Sequence, residues 1–250
     1  MPEGALTPDL DTIASLVESV LRAGGPRPVV TVSWAQSRDG AIAPTSGRRV
    51  VLSSPESMAL THRLRSLHEA ILVGIGTVLS DDPQLTVRLV KGPSPQPVVL
   101  DSALRFPESA RLFSRTDHAP WIFHADTALE DKARELSRRG ARLFALPSGR
   151  NGLPLDEVLH TLQSQGVTSL MVEGGAQVLR SFLSAGLARQ AVITISPMKM
   201  QGLRVFEERP AAEGLLEFEE TSEMSYGQDL VRWGRFCPTR SETGPFSFAR

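Results

Sequence analysis

The sequence predicts an α/β fold: a mostly parallel sheet flanked by helices, with an antiparallel edge at its C-terminal end. Three observations lead there. From residue 28 onward, short β-branched apolar runs alternate with amphipathic segments that carry helix start and stop signals. Glycine or proline separates most of these runs, as tight strand–helix connections require. The last two runs, AVITIS (191–196) and DLVRWGRF (229–236), have no helical pattern between them, the signature of antiparallel neighbours.

Before this alternation, residues 9–22 read as an amphipathic helix with Ile13, Leu16, Val17, Val20 and Leu21 on one stripe. Ala23–Pro28 follows as a Gly/Pro linker. PVVTVSWA (28–35) and RVVLS (49–53) are expected as strands. Ser53 or Ser54 caps the next helix, Pro55 suits its first turn, and Leu60, Leu64 and Leu67 share its inner face. EAILVG (69–74), PVVLD (97–101) and WIFHA (121–125) are expected as buried strands. A helix capped by Thr127, with Glu130 three residues later, runs to Gly140. RLFAL (142–146) is a strand, residues 155–165 a helix ended by Gly166, and SLMVE (169–173) another strand. Gly174-Gly175 then turns into a helix with Val178, Leu179, Phe182 and Leu183 inward. The expected organisation is an N-terminal extension and linker over 1–25, one domain over 26–238, and a polar tail over 239–250.

With 250 residues, 41% hydrophobic and 22% charged, the chain can bury a substantial core. Its formal net charge of −1 offers no basic surface for nucleic acid or for acidic membranes. No apolar run approaches the roughly 20 residues that span a bilayer. The acidic start MPEGALTPDLDTIASL lacks a signal peptide's basic region. Cys237 is the single cysteine, so no internal disulfide can form and a cytoplasmic location is expected. The five histidines lack metal-ligand spacing and no GxSxG elbow is present, so neither a metal site nor a serine nucleophile is expected.

Two segments carry chemical potential. In Glu173-Gly174-Gly175 a buried strand ends on a carboxylate, and two glycines lead into a helix. Ligands of open α/β sheets bind beyond the strands' carboxyl ends, and a helix N-terminus favours phosphate. Such a turn also serves purely structural ends, but an unpaired carboxylate at the end of a buried strand is costly. GIGTVLSDDPQLTVR (74–88) likewise follows a buried strand. Gly74 and Gly76 relax a turn, Thr77 offers a hydroxyl, Asp81-Asp82-Pro83 forms an acidic turn, and Arg88 suits a phosphate or carboxylate. Solvated acids in a capped turn explain DDP equally well. The dinucleotide fingerprint GxGxxG is absent here.

The segments SRDGAIA (37–43), HRLRSLHEAILVGIGTVLSDDPQLTVR (62–88), VVLDSALRFP (98–107) and MVEGGAQVLRSFLSAGL (171–187) together resemble the reductase domain of riboflavin biosynthesis. That family comprises the C-terminal half of the bacterial deaminase–reductase and its stand-alone fungal and archaeal relatives. The resemblance covers most of residues 28–236. It implies a dihydrofolate-reductase-like fold and the use of NADPH to reduce C1′ of the ribosylamino group of a phosphorylated pyrimidine. By matching position, Ala35, Thr77, Asp81, Ser102 and the turn from Gly175 through Ala176, Gln177 and Val178 to Ser181 would contact NADPH, with Gly174 alongside. Arg65, Leu85, Arg88 and Glu173 would contact substrate. Arg105 becomes a candidate for the cofactor's 2′-phosphate and Arg49 for an extra phosphate ligand. Asp81, Glu173 or a water is the expected proton donor.

The chain departs from that pattern. Ser33-Trp34 stands where many bifunctional members carry a lysine, and Arg49 and Val51 stand where they carry Ser and Trp. Two other readings therefore remain beside the main one. One is a different NADPH reductase on the same fold; the other is a non-catalytic nucleotide-binding domain. The resemblance also implies a homodimer.

Overall fold

The apolar runs become strands of one nine-stranded sheet in the order β10-β11-β8-β1-β7-β3-β4-β5-β6. The structure, a computed structural model, describes residues 11–45, 50–147, 149, 152–206 and 217–237. Seven strands are mutually parallel: β1 (Val29–Ser37), β3 (Ala70–Gly74), β4 (Gln96–Leu100), β5 (Trp121–Ala125), β6 (Arg142–Leu146), β7 (Ser169–Val172) and β8 (Gln190–Ser196). The hairpin of β10 (Phe218–Tyr226) and β11 (Asp229–Phe236) closes the β8 edge in antiparallel fashion, as the lack of a helix between the last two runs predicts.

Helices cover both faces. α5 (Leu155–Ser164) and α6 (Ala176–Ser184) bury Val158, Leu162, Leu179 and Phe182 against Val30, Leu72, Val98 and Leu170. On the other face, α1 (Asp11–Ala23) and α2 (Pro55–Leu67) enclose Met171, Val192 and Trp233. Beside them α3 (Ile75–Asp81) and α4 (Glu130–Arg138) close over Ile71, Val73, Val99 and Ile122. Ser54 caps α2: its Oγ accepts from Ser57 N at 3.2 Å.

Two buried polar networks fix α2. His68 Nδ1 donates to Leu64 O (2.7 Å), so its Nε2 accepts from Thr31 Oγ1 (2.8 Å). Thr31 in turn accepts from Gln190 Nε2, and Gln190 Oε1 accepts from Trp233 Nε1. At the helix start, Asp229 Oδ2 accepts from Ser54 N (2.6 Å) and Ser57 Oγ (2.5 Å), tying the cap to the β10–β11 turn.

Several expectations need correction. No strand forms over 50–53; Val50 and Val51 are exposed and pair with no strand among the described residues, so their β-branched content finds no ladder partner. Arg49, residues 9–10 and the tail 239–250 lie outside the described residues. Leu129, not Thr127, is the N-cap of α4, because a turn closed by Ala128 N and Ala125 O occupies the intervening chain. The glycine-containing IGTVLSD (75–81) is not a turn but α3, with Gly74 as its N-cap. The sequence pattern also missed β10 and a small antiparallel ribbon of β2 (Ala41–Pro44) and β9 (Gly202–Arg204).

Asp229 is 1% exposed and neutralises two donors at the start of α2. Asp229→Ala strands Ser54 N and leaves Ser57 Oγ only its longer bond to Ser54 O (3.2 Å), so chemical denaturation should show a loss of about 1–3 kcal/mol.

Candidate active site

After β3 the chain steps outward through β4, β5 and β6, then returns with β7 into the gap between β1 and β3. This reversal opens a crevice at the strands' carboxyl ends, the place where open α/β sheets bind ligands. A cleft of about 1450 Å³ lies there. That exceeds the ~300–1,000 Å³ of ordinary small-molecule pockets and leaves room for a dinucleotide with a second ligand.

Glycines build one side by packing. A Cβ on Gly174 would meet Val178 Cβ at 2.7 Å, and one on Gly74 would meet Val178 Cγ2 at 2.7 Å. The two glycines therefore let the first turn of α6 seat against the ends of β3 and β7. Gly175 is different: its Cβ direction is open except for Thr77 Oγ1 at 3.8 Å. Gly175 is the N-cap of α6 and supplies no side-chain bond, so the first N–H groups of that helix face the cleft beside the Thr77 hydroxyl.

A second loop follows β4. Buried Asp101 accepts from Phe106 N at 2.8 Å, and Leu104 adopts φ 50°. Burial pushes the Asp101 carboxyl above its usual range against the hydrogen bonds it accepts from the loop backbone. The resulting turn carries Ser102, Ala103 and Arg105 to the cleft wall. Asp82 (φ 41°) and Leu85 (φ 54°) are also left-handed, so backbone strain gathers on the two loops flanking the cleft.

An ion pair occupies the floor on the α2 side. Arg65 Nε donates to Glu173 Oε1 at 2.7 Å and Nη2 to Oε2 at 2.6 Å; the side chains are 13% and 15% exposed. Burial opposes the Arg65 charge, yet the Glu173 charge and hydrogen bonds win and raise its pKa. Arg65 Nη1 also donates to Thr86 O at 3.1 Å. The neighbouring backbone is equally held: Val87 N donates to Ser94 Oγ (2.9 Å) and Arg88 N to His62 Nδ1 (3.1 Å). Burial first, then the charges of Arg65 and Arg88, lower the His62 pKa to about 4.

The cleft gathers nearly all of the residues singled out from sequence. Ala35, Thr77, Asp81, Ser102 and Arg105 line it, as do Gly174, Gly175, Ala176, Gln177, Val178 and Ser181. Arg65, Leu85 and Glu173 line its other part. Arg88 does not: its side chain is exposed outside the cleft and bonds Thr86 Oγ1 at 3.2 Å, because the His62 bond fixes its backbone facing α2. Sequence reasoning also missed cleft residues. Thr61 and Met58 precede Arg65 by four and seven positions on one helix stripe, a signal that was legible, whereas Thr194 in a β-branched run gave none. Ile42 and Leu203 reach the cleft on the β2–β9 ribbon. Among the described residues no group of three or more His, Cys, Asp or Glu can hold a metal, and no helix is long and apolar enough to cross a membrane.

The pattern defining the RibD C-terminal domain matches residues 28–231. The chain belongs to the RibD C-terminal domain family. The riboflavin biosynthesis protein RibD of Aquifex aeolicus is 36% identical over 213 residues, which cover 82% of this chain and 57% of that protein. The chain thus spans little more than half of that longer relative. The 2,5-diamino-6-ribosylamino-4(3H)-pyrimidinone 5′-phosphate reductase of Archaeoglobus fulgidus is 36% identical over 187 residues, covering 70% of this chain and 83% of that one. In structure, the riboflavin biosynthesis reductase Rib7 of Saccharomyces cerevisiae superposes with a TM-score of 0.73 at 24% identity, covering 91% of this chain and all of the other. It supports the fold: a RibD-type sheet with its antiparallel C-terminal strands.

Acid stability follows from α2. His62 and His68 both have folded pKa values lowered to about 4, His68 through burial that outweighs the hydrogen bond to Leu64 and the Glu173 charge. Between pH 6.5 and about 4 the unfolded chain binds protons that the folded protein does not, so stability should fall as pH falls through this window. Each histidine contributes a slope of up to about 1.4 kcal/mol per pH unit. Urea titrations at pH 4.5, 5.5 and 6.5 check this; constant stability would refute the neutral, buried histidines.

Proposed function

We propose that this chain is an NADPH-dependent reductase of riboflavin biosynthesis, which converts the ribosylamino side chain of a phosphorylated pyrimidine to a ribitylamino chain. The observation that carries the reading is the Arg65–Glu173 pair standing next to the glycine turn, so that a polar anchor and an uncapped helix start face one cleft. Family membership and the names of the relatives point the same way.

The residues fit a dinucleotide. The α6 N–H groups and Thr77 face the open Gly175 and would hold the pyrophosphate; Ser102 and Arg105 on the β4 loop would hold the adenosine end, with Arg105 taking the 2′-phosphate. Ala35, Ala176, Gln177, Val178 and Ser181 complete that side. Bound there, NADPH supplies the hydride.

Arg65, Glu173 and Leu85 would hold the pyrimidine. Both Glu173 oxygens already accept from Arg65, and their remaining lone pairs suit pyrimidine N–H donors. The phosphate would lie at the mouth, in reach of a swing of the Arg88 side chain; Arg49, the other cation singled out from sequence, lies outside the described residues. Opening of the sugar ring gives a C1′=N imine; one hydride reaches C1′ and one proton reaches the nitrogen. Glu173, committed to accepting, leaves Asp81 on the cleft wall or a water as the proton source. Orientation of C1′ contributes most of the rate, because the reacting groups are otherwise separately diffusing. A cytoplasmic homodimer completes the proposal, with residues 26–238 as the catalytic unit.

The test is NADPH oxidation by the purified protein, offered the deaminated and the non-deaminated ribosylaminopyrimidine phosphates side by side. Turnover of one is expected and fixes whether reduction precedes deamination. Turnover of neither, with NADPH bound, contradicts the proposal.

A further inference from the structure

The loop after β4 presents a cation that the protein leaves unpaired. Arg105 is exposed and lines the cleft, and its guanidinium makes no hydrogen bond or ion pair among the described residues. Its neighbours on either side point inward: Leu104 and Phe106 are 2% and 0% exposed and join the core under α3 and α4. The base of the loop is tied to β5, with Asp101 N donating to Phe123 O (2.9 Å) and Ala125 N to Ser102 O (3.1 Å). Leu104 N donates to Asp101 O (3.1 Å) and closes the turn. The backbone of Arg105 is therefore fixed from both sides.

Asp101 is the centre of this arrangement. It is fully buried; its Oδ2 accepts from Phe106 N at 2.8 Å, while its Oδ1 has no hydrogen-bond partner among the described residues. A buried carboxylate with one oxygen unsatisfied destabilises a fold, and a neutral asparagine would bond Phe106 N without burying a charge. Closing the turn thus does not account for the acid. Arg105 does. Burial raises the Asp101 pKa, while the amides of Arg105, Phe106 and Ala103 and the Arg105 charge lower it. Carboxylate and guanidinium attract each other across the loop, which restricts a long side chain that otherwise samples many rotamers.

We propose that Asp101 is a positioning residue that sets selectivity for the 2′-phosphorylated cofactor, aiming Arg105 through the Phe106 bond and through its charge. The proposal rests on the NADPH reading above and adds to it a residue that does not itself line the cleft. A guanidinium already in place loses little freedom on binding a phosphate, whereas a loosely held one must be ordered first. NADH lacks this phosphate, so only NADPH gains from the placement.

Calorimetric titration of the purified protein with NADPH and with NADH reads this without turnover. Asp101→Ala, which removes bond and charge, is expected to weaken NADPH binding about tenfold. Asp101→Asn keeps an acceptor for Phe106 N and should weaken it about threefold; it carries the test if the alanine variant does not fold. NADH binding should change less than about twofold in either. Losing a negative charge near a phosphate would by itself tighten NADPH binding, so equal or tighter binding by Asp101→Asn overturns the proposal. A parallel loss of both cofactors does the same. Arg105→Ala should weaken NADPH binding at least as much as Asp101→Ala, and the double variant should match Arg105→Ala. Losses that add overturn the proposal, because Asp101 would then act independently of Arg105. Asp229→Ala is the control for reduced stability: it should lower Tm and leave the NADPH-to-NADH ratio unchanged. A ratio that follows Tm across these variants also overturns the proposal. Equal binding of NADPH and NADH by the wild type would instead count against the NADPH reading.

Discussion

The bidentate contact between Arg65 and Glu173 is the constraint on which the site depends. Its carboxylate ends a buried strand and its guanidinium projects from α2, so the pair locks helix to sheet at the mouth of the crevice. Removing either partner would leave an uncompensated charge in a largely desolvated place, which costs about 3–5 kcal/mol. A hydrophobic pair of similar volume would stabilise the fold as well or better. The retention of charges here is therefore best explained by what they present to the cleft. The third donor of Arg65 extends that order to Thr86, and His62 and Ser94 continue it through Val87 and Arg88.

α2 is thus the hub between two kinds of order. Its start is tied to Asp229 on the antiparallel edge, and its end is tied through His68 to Thr31 on the central strand. One face of it then carries Met58, Thr61 and Arg65 to the cleft. The other wall depends on close packing instead. Gly74 and Gly174 admit Val178, and α6 settles near enough for its first N–H groups to face the ligand space. One wall is held by hydrogen bonds and the other by the close packing that the absence of Cβ atoms allows.

Much of this was legible in the sequence, for identifiable reasons. The parallel strands are buried on both faces, so they appear as continuous apolar runs such as EAILVG and PVVLD. Ser54 and Pro55 announce α2, and the lack of a helical run before 229–236 announces the antiparallel edge. The glycine turn and Glu173 were visible because a charge after SLMV breaks an apolar pattern. Other features depend on pairing partners that local sequence does not encode. Residues 50–52 have strand composition but no partner, while FEETSEMSY is polar and becomes a strand because β11 lies beside it. Helix α3 was hidden by Gly76, since burial of Ile75 and Val78 outweighs its low helix propensity. Arg88 shows the limit for sites: residue type suits an anion, but the bond from its backbone to His62 decides where the side chain starts.

The most direct measurement is the fate of the hydride. The protein is supplied with NADPH carrying deuterium at the transferable C4 position, together with the ribosylaminopyrimidine phosphate, and the product is read by mass spectrometry and proton NMR. A single deuterium at C1′ of a ribityl chain is the predicted result, since the proposed reaction delivers the hydride to that carbon. A product without deuterium, or one labelled at the pyrimidine ring, would contradict the account.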